Sequence, residues 1–202
     1  MVCQRTKIEF FMEKEKLKEK KILFLDLDDT LITTSSGSVF PKGIWDMKCL
    51  LYVFDKVKAL VEYASIQNIF IISNQGGIEA GYHTIRGVDA KINYVVECLR
   101  EYIGVSNLRI DYTYCPSSDD SHPNRKPNTG MIDFFFGNLY YISPDAEYRE
   151  YTEEEKKRLP SLSLMIGDAS GKPGQFSDSD RKTAKNAGMD YLDVADFVAL
   201  SF

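Results

Sequence analysis

Five short apolar runs punctuate the chain, and stretches of helical spacing lie between them. The run 22–25 is apolar, partly β-branched and of strand length. Residues 69–72, 108–114, 161–166 and 191–194 read as four further strands. Across 48–67, apolar residues recur at helical spacing: Leu50, Leu51, Phe54, Val57, Leu60, Val61 and Ala64. Across 85–102, Val88, Ile92, Val95, Val96 and Leu99 do the same. Both faces are expected to be core. Pro127 stops the element before it, and Asn128 or Thr129 can cap the helix that follows. A further helix starts at Asp178-Ser179-Asp180 and ends at Gly188. Strands alternating with helices predict an α/β fold, Rossmann-like, with an open and mostly parallel central sheet flanked by helices. Two β-prone pieces around a Ser/Gly turn, within 31–41, predict a small β-hairpin flap. The connections leave no room for a large cap domain. The mixed-charge stretch within 1–20 reads as a tail or a solvated helix, and 21–202 as a single domain. The acidic stretch 138–158 reads as an irregular surface insertion.

Composition narrows the classes. The chain has 202 residues, 44% hydrophobic and 27% charged, with a net charge of −5. That length supports a full core without staples. A strongly basic nucleic-acid binder is excluded overall, although a local basic patch is compatible with the total. The four cysteines form no Cys-x-x-Cys pair, so neither a zinc ribbon nor a disulfide framework is expected. Reduced thiols fit a cytoplasmic protein, or a nuclear one in a eukaryote. No apolar run has membrane-spanning length. Residues 8–12 are too short a run for a secretory leader, and Glu9 interrupts them.

Chemistry gathers at the strand ends. Asp26 and Asp28 follow the first strand at i and i+2, so in extended backbone both face one side. Two like charges held close need a cation or a proton between them. The second strand runs into Ser73-Asn74-Gln75-Gly76-Gly77, which offers a hydroxyl, side-chain amides and backbone N–H groups to an anion. Arg125 and Lys126 precede a helix N-terminus, where the backbone dipole already favours an anion. Asp168 ends the fourth strand. Ligands of such sheets bind outside the carboxyl ends of the strands. Cys115 and His122 supply two ligands to the loop before Arg125, too few for a tetrahedral zinc site.

The pieces Asp26-Leu27-Asp28-Asp29-Thr30, Ser73, Lys126 and Gly167-Asp168, in that order, resemble the haloacid dehalogenase superfamily of phosphatases. Leu31-Ile32-Thr33-Thr34, Val39-Phe40-Pro41, Ser73-Asn74-Gln75, Arg125-Lys126-Pro127 and Phe176-Ser177 resemble the phosphatase domain of polynucleotide kinase 3′-phosphatases. The resemblance implies a Mg²⁺-dependent phosphomonoesterase that removes 3′-phosphates from DNA ends. No Gly-x-x-x-x-Gly-Lys-Ser/Thr is present, so the reading is of a phosphatase without its kinase. It implies Asp26 as nucleophile, Asp28 as acid and base, and Ser73 and Lys126 as phosphate ligands. Metal ligands would be Asp26, Asp168 and Asp28, the last through its backbone carbonyl. Asp29, Thr33, Asn74, Gln75 and Arg125 would contact substrate, and Arg125, Lys126, Lys172, Arg181 and Lys182 could form a basic track. A phosphatase of histidinol-phosphate or heptose-bisphosphate type, acting on a small phosphorylated metabolite, is the alternative. A monomer is the default.

Overall fold

The apolar runs fold into strands that stack side by side. In the computed structural model, which describes residues 14–38, 41–142 and 148–202, nine strands form. They are β1 (Ile22–Leu25), β2 (Ile32–Thr34), β3 (Met47–Cys49), β4 (Asn68–Asn74), β5 (Arg109–Cys115), β6 (Tyr140–Ile142), β7 (Tyr148–Glu150), β8 (Ser163–Gly167) and β9 (Asp190–Asp193). Helices alternate with them: α1 (Leu51–Ala64), α2 (Ile85–Ile103), α3 (Gly130–Gly137), α4 (Glu153–Arg158), α5 (Ser179–Asn186) and α6 (Val194–Ala199).

The main sheet has the order β5-β4-β1-β8-β9, and every pairing in it is parallel. The expected α/β class and parallel sheet are therefore found. The central strand β1 is buried throughout, which is why it reads as an unbroken apolar run rather than an alternating one. Its residues still alternate between two cores. Leu23 and Leu25 face a cluster with Val57, Leu60, Ile92 and Val95. Ile22 and Phe24 face Phe70, Phe135 and Met165, where the rings of Phe70 and Phe135 stack at 4.0 Å. Each such side chain contributes about 1.5–3 kcal/mol by leaving water. Chain order reverses across β1, with β4 and β8 on its two sides, so the crevice outside its carboxyl end is the expected ligand position.

The helices lie where the spacing places them, but neither Thr129 nor Asp178 caps its helix through the side chain. Helix α1 begins later than the apolar spacing suggested, because residues 47–49 are taken as strand β3. That strand pairs antiparallel with β2, Ile32 opposite Cys49. Among the described residues, Met47–Cys49 closes the flap hairpin; Val39 and Phe40, assigned to it from the sequence, lie outside the described residues. Thr129 occupies the N-cap position of α3 but does not cap it: its hydroxyl donates to Asp133 instead, at 2.8 Å. The described part of 138–158 is not irregular. It holds the β6–β7 hairpin and α4, whose start is a capping box between Thr152 and Glu155.

Residues 14–18 are helical and are not a loose tail. Leu17 is buried in the first core cluster. The buried Lys20 ammonium reaches the Ser161 carbonyl at 2.6 Å and Asp190 at 2.5 Å. Among the described residues, no helix is long and apolar enough to cross a membrane.

Candidate active site

Where β1 ends, the Asp26 N–H still donates to the Ile166 carbonyl of β8, at 3.0 Å. Asp26 is therefore held as a strand residue, and its carboxylate sits at the carboxyl edge of the sheet. Leu27 and Leu31 are buried and pin the turn that follows. The Leu27 carbonyl accepts from the Leu31 N–H at 2.9 Å, while Asp29 takes left-handed backbone at φ 57°. The Thr30 hydroxyl accepts the Asp168 N–H at 3.1 Å, which ties the ends of β1 and β8 together.

Three carboxylates and one ammonium meet here. Lys126 is 4% exposed, and its Nζ donates to Asp26 Oδ1 at 2.5 Å and to Asp180 Oδ1 at 2.7 Å. Asp180 Oδ2 accepts the Ala169 N–H at 3.1 Å. Asp26, Asp168 and Asp180 each offer one oxygen within 4.8 Å of the others'. Gly167 makes this possible, since a Cβ there would lie 2.2 Å from Asp180 Oδ2. The charge sums to −3 + 1 = −2 over these four side chains.

The proton affinities follow from that imbalance. Burial pushes the Asp26 carboxyl up, Lys126 pulls it down, and Asp180 and Asp168 push it up again, to about 8. Burial and then Asp180 raise Asp168 to about 6. Burial disfavours the Lys126 ammonium, but Asp180 and Asp26 outweigh it, so its pKa is raised and the charge is kept. An all-oxygen donor set with two negative charges in excess suits a hard divalent cation such as Mg²⁺. Both oxygens of Asp180 already hold a partner, so Asp26 and Asp168 are the more available ligands and Asp180 backs them.

Asp28 stands apart from this group. Its carboxylate is absent from the three-oxygen cluster. Each acid has its own lysine. Lys91 Nζ lies 3.2 Å from Asp28 Oδ1, and Gln75 Nε2 donates to Asp28 Oδ2 at 2.7 Å. Gln75 also donates to the Ser73 hydroxyl at 2.7 Å and accepts from Lys91 at 3.1 Å.

A cleft of about 820 Å³ opens over these groups. Ser73, Asn74, Gln75, Asp29 and Arg125 line it, as the sequence suggested. Their side chains are largely committed to the protein. The Asn74 amide clamps the Lys126 backbone, accepting its N–H at 2.8 Å and donating to its carbonyl at 3.0 Å. Arg125 donates to the Ser117 carbonyl and to Asp120, both at 3.0 Å. Thr33 is outside the lining; its hydroxyl donates to Asp29 at 3.1 Å. Of the expected basic track, Arg125, Lys126 and Lys182 line the cleft and Lys172 and Arg181 do not; Lys172 pairs with Asp193 and Asp196, and Arg181 and Lys182 pair with Asp178.

From the sequence, Asp178 and Asp180 are open to two readings, outer supports of the metal or a helix cap; Asp180 is a partner of Lys126, and the Asp178 side chain does not cap the helix. Lys91, within an apolar helix face, has no role assigned from the sequence. Its signal was spacing: 88, 91, 92 and 95 share one stripe of α2, and all four are buried.

Comparisons with known proteins place the chain in a family. The family model described as polynucleotide kinase 3 phosphatase matches residues 21–197. The chain belongs to that family. Family relatives include the bifunctional polynucleotide phosphatase/kinase of Schizosaccharomyces pombe, 33% identical over 86% of this chain. The chain spans only 36% of that protein. The polynucleotide 3′-phosphatase of Saccharomyces cerevisiae is 25% identical, with 82% of each chain covered. An uncharacterized 20.8 kDa protein of Autographa californica nuclear polyhedrosis virus is 31% identical over 91% of this chain and 88% of its own. Among solved structures, D,D-heptose 1,7-bisphosphate phosphatase from B. bronchiseptica, complexed with magnesium and phosphate, superposes with a TM-score of 0.57 at 19% identity. The match covers 85% of this chain and 78% of that one, and shows that the two share a fold.

Proposed function

We propose that this chain is a Mg²⁺-dependent phosphomonoesterase that removes 3′-phosphates from DNA ends through an aspartyl-phosphate. The observation that carries the reading is the Asp26 carboxylate, buried against Lys126 and beside Asp168, at the floor of an open cleft in a chain of this family.

Hydrolysis of a phosphate monoester is among the slowest reactions that enzymes accelerate, by up to roughly 10²¹-fold. A dianionic phosphate also repels a carboxylate nucleophile, so positive charge must be in place first. Bound to Asp26 and Asp168, and to the Asp28 backbone carbonyl, Mg²⁺ would supply that charge to the phosphate oxygens. Lys126 adds its ammonium and fixes Asp26 through Oδ1. Oδ2 then attacks phosphorus, and the bond to the 3′-oxygen breaks. Protonated Asp28 gives its proton to the departing 3′-oxygen. Water next attacks the aspartyl-phosphate and passes a proton to Asp28, releasing inorganic phosphate and free Asp26. The Ser73 hydroxyl and the N–H groups after it hold the remaining phosphate oxygens.

A second reading, a phosphatase for small phosphorylated metabolites, has one observation in its favour. Seven acidic side chains line the cleft against four basic ones, which is a poor match to a long polyanion. Turnover of a 3′-phosphorylated oligonucleotide, set beside a panel of sugar and amino-alcohol phosphates, decides between them. Dominance of the oligonucleotide in kcat/KM supports the first reading. Dominance of a metabolite replaces it with the second, and turnover of neither rejects both.

A further inference from the structure

We propose that Lys91 is a positioning residue of this site: with Gln75 it forms a closed polar triangle that aims the Asp28 carboxylate at the leaving oxygen. The inference rests on the phosphatase reading above and adds a residue to it.

A lysine on the buried face of an amphipathic helix is unusual, because its desolvated charge is costly unless paired. Lys91 is 6% exposed and lies on α2 between Val88 and Ile92, which pack in the core. Its ammonium reaches the site from outside the strand-end loops. It touches both Asp28 oxygens, at 3.2 and 3.4 Å, and Gln75 Oε1 at 3.1 Å. Gln75 closes the triangle by donating to Asp28 Oδ2 and to Ser73. Gln75 is 6% exposed, and Oε1 accepting from a lysine fixes which way its amide points. The donor end must then face Asp28. Rotation of the Asp28 carboxylate toward Asp26 would break contacts to both partners. Asp28 is partly exposed to the cleft, so without this pair nothing among its hydrogen bonds holds its side chain. General acid–base help depends on reach and alignment, and contributes about 10²–10⁴-fold when both are met.

The role predicts a dependence on leaving group. An alkyl oxygen must be protonated as it departs, whereas p-nitrophenolate leaves without help. Lys91→Met keeps the length and apolar stem of the side chain and removes the ammonium. On a 3′-phosphorylated oligonucleotide, kcat is expected to fall on the order of 10²-fold, with KM little changed. With p-nitrophenyl phosphate the fall is expected to be several times smaller. Lys91→Arg, which keeps charge and donors, is expected to restore part of the loss. Gln75→Met, with the lysine intact, is expected to show the same split, and serves if Lys91→Met does not fold. Equal losses on both substrates, or a rise in KM at unchanged kcat, would overturn the role. A wild-type enzyme that ignores the oligonucleotide rejects the proposed substrate instead, and the best alkyl phosphate of the metabolite panel then takes its place in the comparison. A crystal structure of Lys91→Met is expected to show the Asp28 carboxylate turned from its present position. The carboxylate unmoved would overturn the proposal whatever the substrate.

Discussion

Lys126→Met removes the ammonium that Asp26 and Asp180 grip, at nearly constant side-chain volume. At 2.5 and 2.7 Å, each contact is worth on the order of 6 kcal/mol of Coulomb attraction at an effective dielectric near 20. Burying the ammonium opposes that gain by several kcal/mol. Removing one partner of such a group leaves uncompensated buried charge, and costs about 3–5 kcal/mol. Here the remainder is three carboxylates within 4.8 Å, the unfavourable end of that range. For a chain of this size, 1 kcal/mol moves Tm by about 2–4 °C, so a drop of roughly 10–20 °C is expected in chelator at pH 7.5. Thermal unfolding followed by circular dichroism reads it. Mg²⁺ at saturating concentration is expected to recover much of the loss, because a divalent charge offsets the same carboxylates. Turnover is not expected to recover, since the phosphate has lost its ammonium. A Tm within a degree of wild type in chelator would refute the charge argument at its root.

The remaining predictions address neighbouring parts of the site. Asp26→Asn is expected to lower kcat by on the order of 10³-fold or more without lowering Tm in chelator, because a neutral side chain relieves the crowded carboxylates; substantial turnover would reject the nucleophile. The rise in Tm caused by Mg²⁺ is expected to grow from pH 5 to pH 8. Asp168 and Asp26 are raised to about 6 and about 8 by burial and by their acidic neighbours, so in the metal-free fold their stabilising protonated forms are lost as pH rises through those values. A cation takes the protons' place and releases them, and a Mg²⁺ effect independent of pH would contradict the cluster. Asn74→Ala removes both hydrogen bonds to the Lys126 backbone and is expected to cost about 1–3 kcal/mol together with part of kcat. Unchanged urea midpoint and unchanged turnover would show that the clamp is idle.

Much of this was legible in the sequence because strand ends are legible. An apolar run that stops at a carboxylate, a hydroxyl or Gly-Asp marks a sheet edge, and parallel topology carries those edges to one crevice. Asp26, Ser73 and Asp168 are legible that way, and Lys126 from its place before a helix N-terminus. Other parts depend on contacts that no local pattern records. The flap pairs Ile32–Thr34 with Met47–Cys49, and helical spacing running back to residue 48 masked the strand. Asp180 sits at a helix start, where an acid needs no further explanation, so nothing local distinguishes a cap from a partner for Lys126. Lys91 was hidden because a lysine among apolar neighbours reads as an interruption of the face rather than as its purpose. The insertion 138–158 was the opposite case: Thr152 and Glu155 spell a capping box in plain sequence, and the surrounding charge obscured it.

Capture of the covalent intermediate tests the central claim most directly. The enzyme is mixed with an oligonucleotide carrying a radiolabelled 3′-phosphate, quenched in acid, digested and mapped. Label on the peptide containing Asp26, removed by hydroxylamine and absent from Asp26→Asn, is the expected result. Turnover with no protein-bound label, or label on a peptide that lacks residue 26, would contradict the account.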